Sequence, residues 1–90
     1  MHILYVIQSK KDLTFYIGIT PNMQNRLEMH NRGKVFSTKS KTPWELVYCE
    51  IYRSKNDAAN REQKLKNHGA GWYRLKSRIK NSILINREQS

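Results

Sequence analysis

Ninety residues are enough for one folded domain and too few for two. Seventeen Lys and Arg against seven Asp and Glu leave a net charge of +10, an excess that draws in polyanions and makes nucleic acid the expected partner. Cys49 is the single cysteine, which excludes an intrachain disulfide, and no apolar run is long enough to span a bilayer. The apolar start, Met1 to Ile7, lacks the basic flank and small-residue cleavage site of a signal peptide, so a cytoplasmic protein with no membrane partner is expected.

His2 to Gln8 is β-rich and mostly apolar, which predicts a buried strand. Ser9 to Asp12 is a polar turn, and Leu13 to Thr20 a second strand, so the short connection predicts an antiparallel hairpin. Thr20 can cap a helix that Pro21 opens, which runs to about Asn31 or Arg32 and stops at Gly33. Lys34 to Thr42 reads as a basic, flexible loop. Pro43 to Tyr52 is a third strand, with Trp44, Leu46 and Tyr48 alternating on one side. Ser54 to Asp57 resembles a capping box for a second helix that runs to about Asn67. His68-Gly69-Ala70-Gly71 breaks it, and a basic, amphipathic third helix is expected from Trp72 to about Leu84, with residues 86–90 as a frayed tail. The order β-β-α-β-α-α predicts an α+β fold, a small three-stranded antiparallel sheet flanked by three helices, as a single domain over residues 1–90.

Polar residues at apolar positions carry the functional signal. Met23, Leu27 and His30 share one helical face, with Arg26 one turn before the histidine. By pattern alone these are an arginine snorkelling from the core edge and a satisfied buried histidine. Ala58, Glu62 and Leu65 share a face of the second helix, so Glu62 points at the sheet and needs a cation, or else lies on the surface and pairs with Lys66. Tyr5 and Tyr16 lie within strands, where tyrosine is ordinarily a packing residue, and Gly18 weakens its strand unless a bulge or close approach requires it.

Together these residues resemble the GIY-YIG nucleases. Leu4-Tyr5-Val6 and then Tyr16-Ile17-Gly18-Ile19-Thr20 resemble the family's paired motifs; Arg26 matches its arginine, His30 the place of its histidine or tyrosine, and Glu62 its glutamate. The match runs from about Ile3 to about Leu84, and looks most like the small stand-alone bacterial proteins related to the nuclease domain of the excision-repair incision subunit. Two positions depart: the first triplet reads Ile3-Leu4-Tyr5, and Ile19 stands where the repair nuclease has a lysine. The loop cations Lys34, Lys39 and Lys41 are where a replacement would come from.

The resemblance implies a divalent-metal-dependent endonuclease that hydrolyses phosphodiester bonds, in DNA rather than RNA, with a role in DNA repair. It implies one Mg²⁺ or Mn²⁺ on Glu62, a phosphate braced by Arg26, and Tyr5 positioning or deprotonating the attacking water. Arg26 and the metal are expected to favour the Tyr5 phenolate, His30 to accept the Tyr5 proton or orient it, and Tyr16 to hydrogen-bond the phosphate or the nucleophile. Gly18 is expected to let the backbone approach the phosphate. Arg61, Lys64, Lys66, Arg74, Lys76, Arg78 and Lys80 make up the expected binding surface, and Trp72 and Tyr73 either stack on bases or pin the third helix. Ninety residues leave no room for a separate targeting domain, so weak affinity and specificity are expected unless a protein partner supplies targeting. The alternative is a catalytically weak or inactive nucleic-acid-binding module on the same fold.

Overall fold

The computed structural model describes residues 1–67 and 69–85, so His68 and the tail at 86–90 lie outside the described residues. Strands β1 (His2–Ser9), β2 (Phe15–Thr20) and β3 (Trp44–Tyr52) form one antiparallel sheet in the order β2-β1-β3. Helices α1 (Met23–Asn31), α2 (Lys55–Lys66) and α3 (Ala70–Arg78) complete the expected α+β order. β1 is paired on both sides and covered on both faces, which is why Leu4 to Ser9 is an unbroken buried run. On one face Tyr5, Ile7 and Trp44 pack with Met23 and Leu27 of α1. On the other, Leu4, Val6 and Ile17 pack with Leu65 of α2 and Trp72 and Leu75 of α3. Burying a leucine as completely as Leu65 contributes about 1.5–3 kcal/mol.

Several local features differ from the sequence expectation. Leu13 adopts a left-handed conformation (φ 67), so β2 begins at Phe15. Asn22, not Thr20, caps α1: its side chain accepts from the Asn25 N–H at 3.1 Å, while the Thr20 hydroxyl is occupied with the backbone of Asn22. β3 carries a bulge opposite Val6 and Ile7. Trp44 and Leu46 therefore face α1, but Val47 and Tyr48 both pack on the α2–α3 side, and the expected alternation through Tyr48 breaks. α3 starts at Ala70 and ends at Arg78, well short of Leu84. The buried Gln8 side chain accepts from the Leu84 N–H at 2.7 Å and donates to its carbonyl at 3.2 Å, holding that segment off the helix.

The loop after α1 is ordered by hydrogen bonds. The N–H of Gly33 (φ 73) donates to the His30 carbonyl and that of Lys34 to the Met29 carbonyl, which reverses the chain at the helix end. The reversal returns Thr38 to α1, where it is buried, and a 3-10 turn at Lys39–Lys41 follows. The Asn31 side chain then clamps the backbone of Trp44, accepting from its N–H at 2.6 Å and donating to its carbonyl at 3.0 Å.

Candidate active site

The five residues expected at the site come from four elements: Tyr5 from β1, Tyr16 from β2, Arg26 and His30 from α1, and Glu62 from α2. Tyr5 is paired across the sheet with Gly18, and its ring lies directly over that glycine. A Cβ at position 18 would stand 2.5 Å from the phenol oxygen and 2.6 Å from the ring carbon that bears it. The space left by the missing side chain is thus filled by Tyr5, and this lets the phenol reach α1.

There the Tyr5 oxygen is 2.9 Å from His30 Nε2 and accepts from Arg26 Nε at 3.2 Å. His30 Nδ1 is 2.7 Å from the Thr38 hydroxyl oxygen, and that hydroxyl donates to the Val35 carbonyl at 3.4 Å. The direction of this last bond assigns the tautomer: Nδ1–H donates to Thr38, and Nε2 accepts the Tyr5 proton. Burial, and then the charge of Arg26, push His30 down to about 4, so it is neutral at pH 7. His30 is the one fully buried residue of α1, and the rings of Tyr16 and Trp44 approach it at centroid distances of 5.1 and 6.5 Å. Trp44 Nε1–H also donates to the Thr38 carbonyl at 2.9 Å, so one aromatic box holds both the histidine and the loop.

Burial pushes the Tyr5 phenol above its usual value, and Tyr16 and Glu62 act in the same direction. Arg26 lowers it, as the sequence suggested, but burial outweighs Arg26, and the resting hydroxyl is a phenol. The hydrogen bond to Tyr5 in turn keeps Arg26 charged, and Tyr16 acts on it in the same sense. Glu62 is close enough for its charge to bear on Tyr5, yet also pairs with Lys66 at 3.1 Å on the helix surface. The pair with Lys66 is the surface arrangement that the i+4 spacing offered. No group of three or more His, Cys, Asp and Glu forms a metal cage among the described residues. A single partly exposed carboxylate still fits Mg²⁺ or Mn²⁺, hard ions that keep several waters.

The expected binding residues are scattered. Lys34, Lys39 and Lys64 are exposed, Lys39 lies over the exposed Phe36 ring, and Lys41 pairs with Asp12 at 3.5 Å. Arg61 pairs with Glu50 at 3.0 Å, and Arg74 is exposed on α3. Trp72 is buried edge-on against Phe15, so it pins α3 as one of its two readings had it, while Tyr73 is exposed. Thr38 and Asn31 escaped the sequence reading. Thr38 sits in a run of Ser, Thr and Lys without periodicity, and nothing in that run marks which hydroxyl returns to the histidine.

The chain matches the GIY-YIG catalytic domain family over residues 1–79. It is 39% identical over 66 residues to a UPF0213 protein of Staphylococcus haemolyticus, covering 72% of this chain and 79% of that one. A UPF0213 protein of Staphylococcus aureus is 35% identical over 68 residues, covering 74% and 82%. Among solved structures, the solution NMR structure of a UPF0213 protein from Bacillus halodurans superposes with a TM-score of 0.52 at 27% identity, covering 89% of this chain and 82% of that one.

Proposed function

The chain belongs to the GIY-YIG family, a family of nucleases, and from that premise we propose that it is a divalent-metal-dependent endonuclease acting on DNA. One observation carries the reading: the Tyr5 hydroxyl is held between a charged Arg26 and a neutral His30, within reach of the Glu62 charge. Its proton goes to His30 and one lone pair faces Arg26, which leaves the other lone pair for a water O–H. Tyr5 thereby orients an attacking water. Burial holds His30 down at about 4 and pushes the Tyr5 phenol up, so transfer of the proton from Tyr5 to His30 runs uphill. His30 is then a positioning residue that fixes the rotation of the Tyr5 O–H, not the final holder of its proton.

Arg26 donates to Tyr5 through Nε and also bonds Tyr16, and the guanidinium donors left over would serve a phosphate oxygen, with Tyr16 at hand for the same phosphate. Glu62 is the residue that would hold Mg²⁺ or Mn²⁺, which when bound acidifies water and neutralises developing charge. Lys34, Lys39, Lys64 and Lys66 supply attraction to the backbone, and Gly18 acts indirectly, by seating Tyr5. No helix among the described residues is long and apolar enough to cross a membrane.

The test is nicking of supercoiled plasmid and cutting of labelled DNA and RNA strands with Mg²⁺, Mn²⁺ or chelator, comparing wild type with Glu62→Ala. Metal-dependent cutting of DNA that vanishes in a folded Glu62→Ala protein is the expected result. A wild type that binds every strand and cuts none would leave a binding module in place of the nuclease.

A further inference from the structure

On the sheet face away from Tyr5 lies a second charged cluster that the chemistry above does not use. Tyr48, Glu50 and Tyr52 alternate along β3, and both tyrosine hydroxyls donate to the Glu50 carboxylate. Arg61 of α2 donates to the same carboxylate through Nε at 3.0 and 3.2 Å and through Nη2 at 3.1 Å. Burial pushes Glu50 up, but the hydrogen bonds from Arg61 and the two tyrosines outweigh it and hold the group below the usual carboxylate range. The anion in turn fixes Arg61. This pairing uses the Nε–Nη2 edge of the guanidinium and leaves Nη1 free of it.

Arg61 also lines a cavity of about 420 Å³ formed with α3, whose other lining residues include Gly71, Arg74, Leu75 and Arg78. Dividing by the volume of a liquid water gives space for on the order of fourteen waters, room for a sugar-phosphate unit. Leu75 is buried and anchors α3, so Arg74 and Arg78 are not needed for packing; both are exposed. They stand at i and i+4 on one helix face, a spacing at which like charges repel, and among the described residues neither makes an ion pair. Three guanidiniums around one cavity against a single carboxylate make an excess of positive charge that a bound anion would neutralise.

We propose that this cavity is a second phosphate-binding subsite, which holds a backbone phosphodiester flanking the one at the active site. α2 is the shared wall. Glu62 and Arg61 are neighbours on the helix, about 100° apart around its axis, so one turn of α2 presents the candidate metal ligand to the active site and Arg61 to the cavity. The inference rests on the nucleic-acid reading above, and adds where the backbone goes on leaving Glu62.

The test is fluorescence anisotropy of a labelled oligonucleotide in chelator, across a salt series, on the full chain. Wild type is compared with Arg74→Ala/Arg78→Ala and with a charge-matched control, Arg53→Ala/Lys55→Ala, at the N-terminal end of α2. All four positions are exposed, so both variants fold. The cavity variant is expected to bind about tenfold more weakly than the control, with a log–log salt slope shallower by about 0.9 per phosphate released on duplex. If cavity and control variants match in affinity and slope while wild type binds steeply, the subsite falls and the nucleic-acid reading stands. If the cavity matters but wild type cuts nothing with metal, the subsite stands and the nuclease falls. A wild type with no salt-dependent binding overturns both.

Discussion

Placing a methyl group on Gly18 tests the geometry of the site most directly. In Gly18→Ala the new carbon would stand 2.5 Å from the Tyr5 oxygen and 2.6 Å and 2.9 Å from two ring carbons, closer than such contacts occur. Tyr5 is 1% exposed and held by His30 and Arg26, so the ring cannot turn aside without breaking those bonds. Overpacking of this kind costs about 1–3 kcal/mol. Leaving the buried His30 Nε2 without its donor costs about 1–3 kcal/mol more. The expected loss is thus about 2–6 kcal/mol, and for a domain of this size it lowers Tm by at least about 8 °C. Urea and thermal unfolding followed by circular dichroism measure it, and a double-mutant cycle with Tyr5→Ala isolates the clash. Once the ring is gone, alanine at 18 costs nothing, or stabilises, because it is the better strand residue. An equal penalty for Gly18→Ala in both backgrounds would refute the claim that Tyr5 is what the glycine accommodates.

Two more outcomes follow from the histidine and its loop. His30 titrates near 4 when folded and near 6.5 when unfolded, so between those pH values the unfolded chain binds a proton that the folded chain refuses. Stability therefore falls as pH drops from 6.5 towards 4, by about 3 kcal/mol for this group, and levels off below. Subtracting the pH–stability curve of His30→Gln removes the carboxylates, and a flat difference would contradict the assignment. Thr38→Val leaves the buried His30 Nδ1–H without an acceptor, which costs about 1–3 kcal/mol and releases the tautomer, while Thr38→Ser keeps both. Nitrogen chemical shifts of the imidazole report the tautomer, and a valine variant as stable as the serine variant, with unchanged shifts, would count against the chain of bonds.

The strands, the hairpin and the helix stop at Gly33 were legible because each rests on local chemistry: β-branched runs, a short polar turn, a glycine in the left-handed region. What was not legible depends on distant partners. The end of α3 is set by Gln8, which lies 76 positions from the backbone it binds, and the ordering of the loop by Thr38 meeting His30. The cap of α1 moved to Asn22 because Thr20 still belongs to β2. At the site, spacing alone favoured a satisfied core histidine, and His30 is indeed buried and fully bonded. That the same histidine addresses Tyr5 came from the family resemblance, since helical spacing says nothing about a residue on another strand. At Glu62, which spacing left evenly divided, the fold shows the surface ion pair with Lys66, and the charge of the same carboxylate also acts on Tyr5.

The bulge in β3 makes the strand tolerant of a change in length at one point and intolerant elsewhere. Ile7 is paired with Leu46 and Val6 with Tyr48, so Val47 is the odd residue. Removing it would leave every other partner in β1 opposite the residue it now meets, at the loss of one apolar contact beside the α2–α3 layer. The same deletion at Glu45 or at Cys49 would turn the rest of the strand through the sheet, because side chains alternate faces. It would carry Trp44 away from His30, or swing Glu50 out from Arg61 to the side of Tyr5. Relatives that differ in length within this strand are expected to differ at the position of Val47, where a residue can come and go without disturbing either face.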